Sequence, residues 1–434
     1  MKKKLGLATL TSLVAGNMIG SGVFLLPSTL AQLGSLSLIS WLFTATGSFI
    51  LALVFSRMSL LVPKTGGPYA YAQYGLGNFM GFQTAYSYWI AIWAGNAAIA
   101  LAGVSYLSVF FPSLSDPIIA CIVSIVFIWI FTLINIQGVH NAGFIQLVTT
   151  VLKMIPILLI ATIGWFYFKP EFLTNSINVT TPHMSNFNLI THAATLTLWA
   201  FIGLESATVP ADSVKNPKRD IPLATLLGTL IAMVVYITSS TTIMGMIPNA
   251  NLQTSLSPFA DAAEIIFGSW GKWIIAGGAV ISCLGCLNGW ILLQGQIPMA
   301  AARDGLFPKI FKKENSKGVP YYGLIISSIL ISVLLFFSIS PNLVTQFKVI
   351  ILTATLANLI PYLYTPVVEI ILIRDKKPIK MISLITSIIG IIYSFWAILG
   401  SGQDILVGGA ILILSSVPLY IFIKGSNIGK NLKL

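Results

Sequence analysis

The chain has 434 residues, 56% of them hydrophobic and only 8% charged, with a mean hydropathy of +0.90. Soluble domains carry roughly 25% charged residues, so a deficit this deep over this length excludes a soluble enzyme, a disordered chain and a small disulfide scaffold. The net charge of +12 sits in short links between apolar runs, not in a basic stripe interleaved with base-stacking aromatics, and so excludes a nucleic-acid-binding domain.

Runs near twenty apolar residues predict an all-α membrane protein with twelve transmembrane helices. In chain order they fall at Leu5–Leu30, Leu36–Leu61, Phe79–Phe111, Pro117–Ile136, Phe144–Phe168 and Leu189–Val209, then Ile221–Ile247, Trp270–Ala300, Tyr321–Ile339, Thr345–Ile373, Met381–Gly400 and Ile405–Ile423. Lys2-Lys3-Lys4 ahead of the first run resembles the start of a signal peptide. No convincing small-residue cleavage site follows and a second span comes at once, so an uncleaved first helix is expected. With the N-terminus cytoplasmic, the inner segments hold all but four of the 24 Lys and Arg residues; Lys169 and Lys272 lie outside, Lys153 and Lys348 within spans. The positive-inside rule then places both termini in the cytoplasm. Asn178-Val179-Thr180 matches a glycosylation triplet that nothing else supports. Cys283 and Cys286 form a C-x-x-C without a second pair or a His cluster, so they and Cys121 are read as packing residues. No metal, cofactor or catalytic residue is expected.

The first span carries Gly16-Asn17-Met18-Ile19-Gly20-Ser21-Gly22-Val23-Phe24. Each glycine costs a helix about 1 kcal/mol against alanine, and a broken helix exposes backbone groups that lipid cannot satisfy. A break is tolerable where it lines a cavity, and half-helix ends there make ion and carboxylate sites. The alternative is close packing through a small-x-x-x-small face, Gly16 with Gly20. The sixth span, Trp199-Ala200-Phe201-Ile202-Gly203-Leu204-Glu205-Ser206, places a glycine near a carboxylate in a run otherwise free of charge. Interruptions in spans 1 and 6 predict one transporter domain over residues 1–434, with a five-plus-five inverted repeat (1–168 and 189–373), two added helices (381–423), and a site at the repeat interface.

Glu205, buried in mid-span, is a functional-site candidate for cation attraction, proton binding or gate closure. Glu369 lies about a turn from the end of span 10 and is expected to pair at the interface with nearby Arg374, Lys376 and Lys377. Two readings stand for Lys153: a lysine snorkelling to the interface, or an ammonium beside the broken first span that substitutes for a bound sodium ion. Tyr88, Trp93, Trp199, Phe201, Trp290 and Tyr362 cluster near the breaks in sequence. Aromatic faces hold a desolvated cation at about 2 kcal/mol or more, and Asn96 adds a neutral amide. This set suits a positively charged organic substrate.

These segments resemble the amino acid/polyamine/organocation (APC) transporters. The likeness is carried by Gly16 through Pro27, Gly66-Gly67-Pro68-Tyr69-Ala70-Tyr71-Ala72, Trp199 through Ser206, and Lys215-Asn216-Pro217-Lys218-Arg219-Asp220-Ile221-Pro222. Tyr88-Trp89, Trp93-Ala94-Gly95-Asn96, Gly289-Trp290 and Pro361-Tyr362-Leu363-Tyr364 are most similar to the arginine/agmatine exchangers of that family. The resemblance implies a LeuT-type fold in a bacterial inner membrane, with helices 1 and 6 discontinuous, exchanging external arginine for internal agmatine in the service of acid resistance. It implies that the substrate carboxylate meets Ser21 and Gly22. The α-amine meets carbonyls at Met18, Trp199 and Ile202, and the guanidinium stacks on Trp290 and bonds Asn96 and the Ala91 carbonyl. It also implies a gate of Tyr88, Glu205 and Tyr362, a pH response through Tyr69, and a homodimer. Three positions depart from the exchangers: Ile92, Ile99 and Ala354 stand where they carry cysteine, methionine and serine. Lys153 is similar instead to proton-coupled amino acid transporters of the superfamily. Proton-coupled uptake through Lys153 and ornithine/putrescine exchange are the alternatives.

Overall fold

The computed structural model describes residues 5–138, 142–174, 186–211, 214–374 and 380–431. The glycosylation triplet, Lys376 and Lys377 lie outside them. Among the described residues there is no strand, only an isolated bridge between Leu5 and Val214. The helices are α1 (Leu7–Met18), α2 (Ser21–Leu30), α3 (Leu36–Leu61), α4 (Pro68–Leu76), α5 (Asn78–Leu107), α6 (Pro117–Ile136), α7 (Ala142–Ile163), α8 (Glu171–Thr174) and α9 (Asn186–Leu198). They continue with α10 (Pro217–Met246), α11 (Asn249–Leu252), α12 (Pro258–Phe267), α13 (Ser269–Arg303), α14 (Tyr321–Phe337), α15 (Leu343–Arg374), α16 (Met381–Gly400) and α17 (Gln403–Asn431).

Eleven spans among the described residues are long and apolar enough to cross a membrane. The twelfth expected one is α14, an apolar helix of 17 residues. Several starts are written locally. Proline occupies the first turn of α4, α6, α10 and α12, where its missing N–H has no helical partner to lose. Asp116 caps α6 by accepting from the Ile118 and Ile119 amides at 2.9 and 3.0 Å, relieving two of the end's unsatisfied donors.

Burial separates centre from rim. In its most apolar stretch α5 is 89% buried, against 28% for α6. The rim presents large apolar side chains such as Ile122, Ile155, Val234, Ile281 and Phe336, as a surface in contact with acyl chains must. α5 packs on α13 and α15, α1 on α10 and α7, and α3 on α10 and α9. The interrupted spans are thereby held by α10, α7 and α3.

The interruptions are real. α1 stops at Met18, Ile19 and Gly20 leave helical geometry, and α2 resumes at Ser21. α9 gives way to a tight turn over Trp199–Phe201, an irregular stretch through Glu205, and another turn over Ser206–Thr208. Gly203 sits at φ +112°, and a Cβ there would press to 3.3 Å on Asn17; a side chain would meet both strain and crowding.

Candidate functional site

Breaking α1 frees carbonyls that a continuous helix would use. The Gly20 N–H bonds Met18 O at 2.8 Å instead of reaching back four residues. Gly16 O then receives the Lys153 ammonium from α7, and Asn17 O receives the Trp290 indole N–H from α13 at 3.3 Å. Across the other break, Tyr236 donates to Ala200 O at 2.9 Å, and the Asn17 amide donates to Ser206 Oγ at 2.9 Å. Buried polar groups need such partners, so the breaks are held open by side chains from three other helices. Lys153 is 3% exposed and does not snorkel. Of its two expected readings, the placement beside the broken first span is the one observed.

The two breaks face each other across one chamber. Its lining brings together Met18, Ser21, Gly22, Ala91, Trp199, Ile202 and Trp290 from the expected set, with Asn358 added from α15. Gly22 allows the close approach of the two breaks: a Cβ would meet Trp199 Cδ1 at 3.2 Å and the Ala200 backbone at 3.3 Å. The first turn of α2 points unsatisfied N–H groups and the positive end of a helix dipole toward this space. Ser21 Oγ beside it has no hydrogen-bond partner among the described residues. The Met18 and Trp199 carbonyls each accept one backbone N–H and keep a second lone pair.

Asn96 is not brought to the chamber wall. It is fully buried, and its Nδ2 donates to Gln294 Oε1 at 2.7 Å. Gln294 donates onward to Ser328 at 3.1 Å, and Ser328 pairs with Thr132 at 2.6 Å. This polar chain ties α5, α13, α14 and α6. Of the departures noted in the sequence, Ile92 and Ile99 line the chamber with apolar side chains, and Ala354 is fully buried outside its lining.

Below the chamber, Glu205 is fully buried. Tyr88 donates to its Oε1 and Tyr362 to its Oε2, both at 2.7 Å, and the Gly203 amide donates at 3.3 Å. One carboxylate thus joins α5, α15 and the break in the sixth span. Tyr69 belongs to a separate cluster: its hydroxyl donates to Asp304 at 3.4 Å, and Lys64 bridges to the same carboxylate at 3.2 Å. Burial, then the Asp304 charge, raises the Tyr69 phenol well above its ordinary value, so it keeps its proton throughout the neutral range.

Glu369 corrects an expectation. Its partner is not the neighbouring Arg374 but Arg57 on α3, at 2.5 and 2.9 Å, with Ser387 donating at 2.5 Å. It too is fully buried. Asn358 and Gln294 escape a reading of the sequence, because their only signal there is an amide inside an apolar run.

A model of the amino acid permease family matches residues 5–420. The chain belongs to that family. This permease is 37% identical over 423 residues to the cadaverine/lysine antiporter of Escherichia coli (strain K12), covering 96% of this chain and 94% of that protein. It is 36% identical over 425 residues to the putrescine transporter PotE of Haemophilus influenzae, covering 97% of each. The E. coli (strain K12) PotE is 36% identical over 422 residues, covering 96% of this chain and 95% of that protein. This is a multi-pass membrane transport protein and not an enzyme, as the resemblance implied.

Proposed function

We propose that this permease exchanges a linear diamino acid, lysine or ornithine, for the diamine left by its decarboxylation. The observation that carries the reading is the chamber at the two breaks: the positive end of α2 faces it for a carboxylate, backbone carbonyls face it for an α-amine, and Trp199 and Trp290 wall it for a cationic stem. Relatives named for cadaverine with lysine and for putrescine support the same class. The arginine–agmatine pair draws support from Trp290. Its expected amide, Asn96, lies off the chamber lining with its Nδ2 given to Gln294, and a guanidinium brings five N–H donors where an ammonium brings three. Primary amines therefore fit better.

In this reading the interrupted spans mark two inverted repeats, residues 1–168 and 189–373, and the basic residues set both termini in the cytoplasm of a bacterial inner membrane. Loading closes the aromatic walls, and an empty carrier reorients poorly because it lacks that binding energy. A monocation entering and a dication leaving export one positive charge per cycle, worth about 2.3 kcal/mol per 100 mV. A decarboxylase inside would consume a proton for each exchange.

Proton-coupled uptake is the second reading, favoured by the buried Lys153 ammonium on Gly16 O. Purified protein in liposomes separates the two. Labelled lysine or ornithine should enter only vesicles loaded with diamine or diamino acid, and faster when the interior is held positive. Uptake into empty vesicles driven by a pH gradient would replace exchange with proton coupling. Arginine exchanging against agmatine faster than any primary amine would restore the guanidinium pair.

A further inference from the structure

We propose that Asn358 accepts the terminal ammonium of the substrate and so sets which cation the chamber prefers. This rests on the diamino acid–diamine reading above and names the group that meets the far end of that substrate. Asn358 lines the chamber at 1% exposure, and neither its Oδ1 nor its Nδ2 has a hydrogen-bond partner among the described residues. Buried amides without partners are rare because the missing bonds destabilise the fold. On a wall the substrate touches, the substrate is the missing partner.

The other polar groups around the chamber are already assigned. Asn17 donates to Ser206, and the Trp290 indole donates to Asn17 O. Ser21 opens α2, where the positive helix end suits a carboxylate. Glu205 is held by two tyrosines; Asn96 gives its Nδ2 to Gln294 and, though its Oδ1 is unpartnered, lies off the chamber lining. With a carboxylate and an α-amine at the breaks, Asn358 is the unpartnered amide on the chamber lining that can accept a second amine.

Its depth agrees. α5 and α15 run antiparallel: Tyr364 donates to Gln83 at 2.5 Å, Tyr362 and Tyr88 share Glu205, and Ala357 packs on Ala91. Asn358 therefore lies one helical turn, about 5.4 Å, from the Tyr362 gate and level with chamber residue Ala91. Its amide neighbours the Tyr362 hydroxyl without making a bond of acceptable length and angle. One turn further along, Ala354 supplies no polar atom. A single amide oxygen beside π faces serves a three-donor ammonium with fewer unmet N–H groups than a five-donor guanidinium.

The test is ligand binding to purified full-length protein by calorimetry, comparing lysine, ornithine and cadaverine with norleucine, which is lysine without its terminal amine. Asn358→Ala should weaken the three amines tenfold or more and norleucine less than twofold. Equal weakening of lysine and norleucine would make Asn358 a packing residue and overturn the assignment. Asn358→Asp, nearly isosteric, keeps the question open to measurement if the alanine variant does not fold. It should raise the preference for lysine over norleucine about tenfold, and an unchanged ratio overturns the proposal. A wild-type protein that binds none of the diamino acids or diamines would defeat the exchange reading itself, a result distinct from any effect of Asn358.

Discussion

Glu205 and Glu369 are both fully buried carboxylates in apolar helices, and they are held in opposite ways. Glu369 has a counter-charge: the Arg57 guanidinium bonds both its oxygens and also donates to Thr386 at 2.7 Å. Glu205 has two phenols and a backbone amide, and makes no ion pair among the described residues. A buried ion pair is hard to open because either half left alone is an uncompensated charge. The phenol and amide bonds to Glu205 bring no second charge, and each can be exchanged for another hydrogen bond. The Glu369 cluster ties α3, α15 and α16 through a counter-charge, whereas in the proposed exchange cycle the Glu205 cluster is the tie that opens and recloses.

The largest effect should come from breaking the fixed pair. Arg57→Met leaves the Glu369 carboxylate without its counter-charge, held by Ser387 alone, and should destabilise by about 3 kcal/mol, read as a marked drop in Tm in detergent. Replacing both residues, Arg57→Met with Glu369→Leu, should recover most of that loss because no lone charge remains. A double variant as unstable as the single one would show that the pair is not what joins these helices. Glu205→Gln should behave in reverse. An amide puts an acceptor on one side and an NH2 donor on the other, where the carboxylate accepts on both, so exchange should fall tenfold or more, about 1.4 kcal/mol, with Tm nearly unchanged. A Tm loss matching that of Arg57→Met would make Glu205 a structural tie and erase the contrast.

What is legible in the sequence follows the same division. The breaks can be read because glycine density and a mid-span carboxylate violate what an apolar helix needs, and those violations are local. Local pattern alone therefore puts Ser21, Gly22, Trp199 and Ile202 beside the breaks. Partner choice is not local. Proximity along the chain pairs Glu369 with Arg374, yet its cation stands on α3, and the choice depends on how α3 and α15 pack. Asn96 and Asn358 exchange expectations for the same reason. Both are single amides in apolar runs, and only the register of α5 against α13 and α15 decides that one meets Gln294 while the other faces the chamber.

A finer cut through the Glu205 cluster uses Tyr88→Phe. It removes one of two phenol bonds and leaves the Tyr362 bond in place, so the balance between closed and open forms should shift by about 1 kcal/mol, roughly fivefold in the rate limited by that step. An effect as large as that of Glu205→Gln would mean the two tyrosines act as a unit and that the carboxylate cannot stay seated on one of them.

The smallest effect belongs to the exposed Lys64–Asp304 pair and the buried Tyr69 that meets it. The lysine and aspartate side chains are 51% and 25% exposed, so water and salt screen the pair and it contributes about 0.2–1 kcal/mol. Lys64→Gln should change exchange by no more than a few-fold in dilute buffer. The difference should disappear near 1 M salt, where the screening length is about 3 Å. Tyr69 sharpens the point: its raised phenol stays protonated from pH 5 to 8, so it donates to Asp304 across that range. Tyr69→Phe should therefore alter the rate by the same factor at every pH in the interval. If its effect instead grew steadily as pH fell, the proton would be entering or leaving the Tyr69–Asp304 contact itself, and this outer cluster would join Glu205 among the switchable ties.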